Sequence, residues 1–309
     1  MLATTAPLPP DDGAWAFEVK WDGVRALVGL SEGQLTMTSR NGNEVSAAYP
    51  ELQGLARQVA DRQLLLDGEV VAFDGSGRTD FGLLQSRMHV RSPSAALRRA
   101  APVQLLVFDL LHVDGRSLVD ETYDDRRAAL DELGLPGECW QVPASFPSGG
   151  RALLDATRAQ GLEGVVAKRR DSRYEAARRS DSWRKVKHVH RTSAVIVGWK
   201  PGDGGRSGRI GSLLLGVQGP SGLEYAGHVG TGFTAAVLDD LQRRLGKLQR
   251  DTSPFATAVP REHARDVVWT EPVLVCEVEH VQWTRDGRLR HPSYKGLRDD
   301  VPPEEVARE

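Results

Sequence analysis

The sequence predicts an α+β protein of two domains, the second a small β-barrel, and three observations predict it. At 309 residues the chain exceeds one average domain of about one to two hundred residues, so two cores are expected. In its first part, short runs rich in Val, Leu and Phe alternate with helical patterns. Beyond residue 188 the pattern changes to strands in series, separated by glycine-rich loops and interrupted by a single helix, which suits a closed barrel. The boundary is placed near residue 190, giving domains over 1–190 and 191–309.

Taken in order, strands are expected over 15–21, 26–30, 34–38, 64–73, 103–113 and 164–168, where β-branched, aliphatic and aromatic residues cluster. Helices are expected over 49–62, 80–88, 124–133 and 151–160. The dipeptides Asn41-Gly42, Asp74-Gly75 and Asp114-Gly115 mark turns between them. The second part predicts strands over 194–199, 210–217, 223–229 and 273–281, a helix over 234–248, and a frayed or short helical end after Pro302.

Composition narrows the function classes. Hydrophobic residues make up 40% and charged residues 27% of the chain, the balance of an ordinary globular protein. No apolar run reaches the roughly eighteen residues of a membrane span, and the N-terminus lacks the basic and apolar regions of a signal peptide. A cytoplasmic protein without a membrane partner is expected. Cys139 and Cys276 lie far apart and outside any CxxC pair, so they read as small buried hydrophobes. The net charge of −2 hides a local excess: residues 168–191 hold ten Lys or Arg against Asp171, Glu175 and Asp181. That stretch reads as anion-binding. Lysine is scarce, seven of 40 basic residues. A guanidinium stays protonated and is a poor nucleophile, so a retained lysine marks a candidate amine, with chance as the alternative for any single one.

Five strings carry the chemistry. EVKWDGVR at 18–25 sets Lys20 at a strand end, with Gly23 permitting a tight turn. An attacking amine must be neutral although free lysine has a pKa of about 10.4; neighbouring cations, a metal or desolvation favour that form. A surface ion pair at a strand end is the alternative. LDGEVV at 66–71 presents Glu69 for a ribose hydroxyl or a metal, or is a common acidic turn. VFDL at 107–110 carries Phe108, a stacking or a core ring. EGVVAK at 163–168 aligns Glu163 and Lys168 on one strand edge. In WRKVK at 183–187, strand alternation turns Lys185 and Lys187 to one face. Two ammonium groups there suit a phosphate, or form a solvated basic strand.

In this order and spacing the five strings resemble the motifs of the covalent nucleotidyltransferases, the superfamily of DNA ligases, RNA ligases and mRNA capping enzymes. Within it the chain is similar to the ATP-dependent DNA ligase domains of bacterial ligase D and the stand-alone ligase C. The likeness extends to SRNGN at 39–43, VFDLLHVDG at 107–115, SGRIGSLLLG at 207–216, VGTGF at 229–233 and GRLRHPSYKGLR at 287–298. It implies an N-terminal nucleotidyltransferase (adenylation) domain with antiparallel sheets and flanking helices, followed by a C-terminal OB-fold β-barrel.

The resemblance also implies roles. Lys20 would take AMP from ATP, pass it to the 5′-phosphate of a nick, and release it when the 3′-hydroxyl attacks. Glu18 belongs to the nucleotide site, and Arg25 would meet the ribose or a nearby phosphate. Glu69 and Glu163 would support the ribose and a Mg²⁺ or Mn²⁺ ion, whose preference for hard oxygen ligands matches carboxylates. Phe108 would stack on adenine, Lys185 and Lys187 would hold the α-phosphate, and Arg40 would lie near the nick. Lys200, Arg206 and Arg209 would track DNA phosphates. In the last motif Arg298 and Asp300 carry over, but Val301 stands where the family has lysine, with Lys295 as candidate substitute. The implied substrate is nicked double-stranded DNA, with Ku and a repair polymerase as candidate partners of a nucleoid-associated, bacterial monomer. The short stretch ahead of Lys20 leaves no room for an NAD-recognition or DNA-encircling domain, so affinity for nicks is expected to be modest and salt-dependent. An RNA ligase or capping-type enzyme is the rival within the superfamily, and a non-catalytic DNA-binding protein the rival outside it.

Overall fold

Hairpin geometry starts the first unit. Val24–Ser31 and Gln34–Ser39 pair antiparallel with Ser31 opposite Gln34. Between them Glu32 (φ 53) and Gly33 (φ 70) are both left-handed, the turn whose twist matches the flanking strands. Buried and outward residues alternate along Val24–Ser31, so Val28 and Leu30 face the core while Leu27 faces out.

The computed structural model describes residues 1–59, 61–202, 208–284 and 286–308. It divides into the units Met1–His188 and Val189–Glu309, with the mixture of sheets and short helices of an α+β protein. Arg206, expected on a phosphate-tracking loop, lies outside the described residues.

Two sheets build the first unit. One has the order Gln34–Ser39, Val24–Ser31, Leu64–Ala72, Val103–Val113, Arg116–Ser117, all antiparallel, with Trp140–Gln141 added parallel to Val103–Val113. Its core includes Val28, Met37, Leu66, Val70, Leu105 and Val107, none of them exposed. The other has the order Leu2–Thr5, Arg179–Lys187, Gly164–Arg169, Trp15–Val19, Ser145–Phe146. Phe17, Val165 and Ala167 are fully buried there and cluster with Leu154 of the helix Gly150–Ala159.

Departures from the sequence expectation have local causes. The helix expected over 49–62 is one 3-10 turn, Pro50–Leu52, followed by Gln53–Gln58, because Pro50 disfavours helical backbone at Tyr49, which takes φ −131 and ψ 56. The strand expected over 15–21 stops at Val19. Leu2–Thr5 was unexpected because its strand state comes from pairing with Arg179–Lys187, far along the chain. The short helix Ala95–Ala100, also unexpected, starts where the Ser94 hydroxyl accepts from the Leu97 N–H.

The second unit is an antiparallel five-stranded sheet in the order Gly222–Val229, Ile210–Gly219, His190–Pro201, Val268–His280, Ser293–Leu297. Thr234 caps the helix Ala235–Gly246, whose Leu238, Leu241 and Leu245 recur three and four apart and turn inward. The tail after Pro302 is anchored: Gln218 N–H donates to Val306 O at 2.6 Å, and Val306 is 2% exposed. Among the described residues no helix is long and apolar enough to cross a membrane.

Candidate active site

The two sheets of the first unit border a cleft of about 1370 Å³ lined by Glu18, Lys20, Arg25, Arg40, Glu69, Phe108, Lys185 and Lys187, among others. Lys20 follows the end of Trp15–Val19, held by its own N–H donating to Gly164 O at 2.9 Å. Gly23 serves a different need from the tight turn read in the sequence. A Cβ there would sit 2.2 Å from Val70 O, so glycine lets this segment approach Leu64–Ala72.

Glu163 joins two amines. Its Oε2 lies 2.5 Å from Lys20 Nζ and its Oε1 2.6 Å from Lys187 Nζ. Burial pushes this carboxyl up, but Lys20 and Lys187 outweigh it and hold the group below its ordinary range. Lys185 is lowered by burial and then by the cations Lys187, Arg179 and Lys20. Glu69 behaves oppositely: burial raises it to about 8 even though Lys20 and Arg25 favour the ionised form. Its carboxylate makes no hydrogen bond among the described residues, so it is a hard oxygen donor whose ionisation a divalent cation would favour. No group of three or more His, Cys, Asp or Glu converges as a preformed metal cage among the described residues.

Arg25 is strongly committed. Its Nε and Nη2 donate to the two oxygens of Asp67 at 2.8 and 2.5 Å, Nη1 donates to Met1 O at 2.5 Å, and Nη2 also meets Tyr174 Oη at 3.1 Å. Few of its five hydrogens remain for a ligand. The guanidinium lies 5.6 Å from the ring centroids of both Phe108 and Trp183, so it braces the ring expected to stack on adenine. Phe108 and Trp183 themselves meet edge to face at 6.1 Å.

Beneath these residues lies a buried ionic layer whose pairing the sequence did not show. Lys168 is 1% exposed, pairs with Glu18 Oε1 at 2.8 Å, donates to Phe108 O at 3.1 Å, and stands 4.6 and 4.4 Å from the Phe108 and Trp183 rings. Tyr123 and Arg126 reach the same region from the helix Tyr123–Glu132. No sequence string marks them, because what distinguishes them is the partner each meets across the fold.

Arg40 and Arg298 have other surroundings. Arg40 is exposed, in the turn after Gln34–Ser39, and lines the cleft. Arg298 belongs to the second unit, where it pairs with both oxygens of Asp300 at 2.7 and 2.8 Å. That bond holds the Asp300 carboxyl down at about 2. Val301 packs on the second core, and Lys295 Nζ meets Glu279 Oε2 at 2.6 Å. Lys200 donates to Glu262 O at 3.1 Å and Arg209 lies 3.5 Å from Asp239.

Comparison with known proteins agrees on one family. The model of the ATP dependent DNA ligase domain matches residues 8–187, and that of the ATP dependent DNA ligase C terminal region matches residues 206–301. The multifunctional non-homologous end joining DNA repair protein LigD of Mycobacterium tuberculosis is 44% identical over 295 residues, covering 96% of this chain and 37% of that protein. LigD of Pseudomonas aeruginosa is 36% identical over 313 residues, covering 100% of this chain and 36% of that protein. The chain thus spans a little over a third of the length of these curated relatives. The crystal structure of the ligase domain from M. tuberculosis LigD is 41% identical with a TM-score of 0.57, and the match covers 100% of this chain and 97% of that one. The α+β fold, a nucleotidyltransferase domain and a C-terminal OB-fold domain, is that of the ATP-dependent ligases. The chain belongs to the ATP-dependent DNA ligase family.

Proposed function

We propose that this chain seals 3′-hydroxyl/5′-phosphate nicks in duplex DNA through an AMP carried on Lys20. The observation that carries the reading is the bridge Lys20–Glu163–Lys187 in the cleft, at 2.5 and 2.6 Å, because it holds an amine for attack beside a second amine for phosphate. After losing a proton, Lys20 Nζ bonds to the α-phosphorus of ATP while the bond to the bridging oxygen breaks, and pyrophosphate leaves. The 5′-phosphate of the nick then displaces the lysine, forming a phosphoanhydride to AMP. Attack by the 3′-hydroxyl closes the strand and expels AMP.

The chain's own residues supply position and charge. Phe108, braced by Arg25, offers a stacking face for the base, and Glu18, which lines the same cleft, offers a carboxylate acceptor. Lys185 and Lys187 neutralise the α-phosphate, and Arg40 takes DNA phosphate at the rim. Glu69 fits a divalent cation best, since its carboxylate lacks a hydrogen-bond partner among the described residues; Glu163 fits once a lysine releases it. A bound Mg²⁺ or Mn²⁺ would supply neutralisation of phosphate charge. Arg298 would act on the leaving pyrophosphate from the second unit.

The test is incubation with ATP labelled on the α-phosphate and a divalent cation, then a chase with nicked DNA. Wild type should become labelled and seal the nick, while Lys20→Ala takes up no label. Labelling of Lys20→Ala would reject the nucleophile, and labelling without sealing would reject the ligase step. Since the relatives are named for non-homologous end joining, we place this chain in bacterial end joining at the nucleoid, with Ku and a repair polymerase as partners. Ku-bound duplex ends in the chase test that placement: end sealing stimulated by Ku is expected.

A further inference from the structure

The helix Tyr123–Glu132, which belongs to none of the five strings, grips the nucleotide site from both sheets. Its first residue, Tyr123, is 1% exposed and donates its hydroxyl to Glu18 Oε1 at 2.5 Å. Three residues on, the fully buried Arg126 donates from Nε and Nη2 to the two oxygens of Asp109 at 2.8 and 2.9 Å. Glu18 lies on Trp15–Val19 in one sheet, and Asp109 follows Phe108 on Val103–Val113 in the other. One helical turn therefore ties together the two walls of the base-stacking slot.

The bonding leaves one acceptor for a ligand. Glu18 Oε1 takes both Tyr123 and, at 2.8 Å, Lys168, whose ammonium is 4.6 Å from the Phe108 centroid. Glu18 Oε2 makes no hydrogen bond among the described residues, although Glu18 lines the cleft. Because the tyrosine proton goes to Glu18, the Ser145 hydroxyl at 2.8 Å donates to Tyr123 Oη. Burial and then the neighbouring Glu18 push the phenol well above its ordinary range, so it stays a donor.

We propose that Tyr123 is a positioning residue for base recognition, fixing the Glu18 carboxylate so that Oε2 accepts from the exocyclic amino group of a purine stacked on Phe108. A carboxylate only accepts, so it favours a 6-amino purine and repels a 6-carbonyl one. The inference rests on the adenylation site proposed above.

The test measures lysyl-AMP formation by the full chain with ATP and with the triphosphate of purine riboside, which lacks the amino group. Tyr123→Phe keeps the ring and removes the donor. With ATP its KM should rise roughly ten- to a hundredfold, the range for one charge-assisted hydrogen bond, with the saturated rate retained. With the purine riboside triphosphate, variant and wild type should have the same KM. Ser145→Ala, which retains the tyrosine, should show a smaller rise confined to ATP, and it carries the test if Tyr123→Phe fails to fold. No rise in either variant, or equal rises with both nucleotides, overturns the proposal. Wild type that takes no label from ATP instead overturns the adenylation reading, and this inference with it.

Discussion

Glu69 differs from Glu163 through its neighbours alone. Both carboxylates are taken from water, yet Glu163 has Lys20 and Lys187 in direct contact and stays ionised, whereas Glu69 faces its cations without a hydrogen bond among the described residues and is raised by burial to about 8. Because its pKa is higher folded than unfolded, the cation-free folded state binds the extra proton between the ordinary glutamate range and about 8. The stability associated with that proton is present at low pH and is lost as pH rises through that window. Glu69→Gln cannot ionise, so its melting temperature should gain on wild type as pH rises, with the gap level above the window. Thermal unfolding without divalent cations at roughly pH 5, 7 and 9 checks this. A gap independent of pH would mean that Glu69 is hydrated like a surface carboxylate.

At the scale of elements, the site depends on how closely two strands meet beside Glu163. Gly164 has φ 145, and a Cβ there would lie 2.1 Å from Val186 O and 2.9 Å from Lys187 Cα. Gly164→Ala should force Gly164–Arg169 away from Arg179–Lys187, with a cost of about 1–3 kcal/mol. Glu163 and Lys187 flank the contact, so adenylation should slow as well. Gly246, at the end of Ala235–Gly246 with open space around it, is the control: alanine there should leave adenylation unchanged and should not lower stability, raising it by at most about 1 kcal/mol. Urea unfolding and the labelled-ATP assay read the two effects, and a Gly164→Ala variant as stable and active as wild type would contradict the strand contact. The element boundaries also show how far local sequence reaches. Val103–Val113 matches its expected bounds because eleven residues of apolar β pattern dominate locally. Leu2–Thr5 has too little pattern of its own and becomes a strand only beside Arg179–Lys187.

For the molecule as a whole, pairing redistributes the basic excess between 168 and 191. Lys168 is buried against Glu18, Arg169 meets Asp171 at 2.8 Å, and Arg170 meets Asp124 at 2.8 Å. Arg179, Lys185 and Lys187 line the cleft. The charge available to DNA is therefore smaller than the sequence count implies. Affinity for nicked duplex should fall linearly with log salt, with a shallow slope set by those few phosphate contacts. Fluorescence anisotropy across a salt series measures it. A slope near zero would remove the phosphate contacts, and a steep one would mean that the paired arginines also engage DNA.

The sequence by itself determined the α+β class, the change of pattern near residue 190 and the family, because the five strings are local and their order survives without coordinates. It also nominated Lys20, Glu69, Phe108, Glu163, Lys185 and Lys187, since each sits in a short string whose chemistry is readable from residue type and strand alternation. Only the tertiary structure decided how they are held. Asp67 under Arg25, Lys168 under Phe108, and Tyr123 and Arg126 on a helix outside the strings act through contacts as distant as the 105 positions between Glu18 and Tyr123. Periodicity records which face of an element is buried; it does not record which buried polar group meets another.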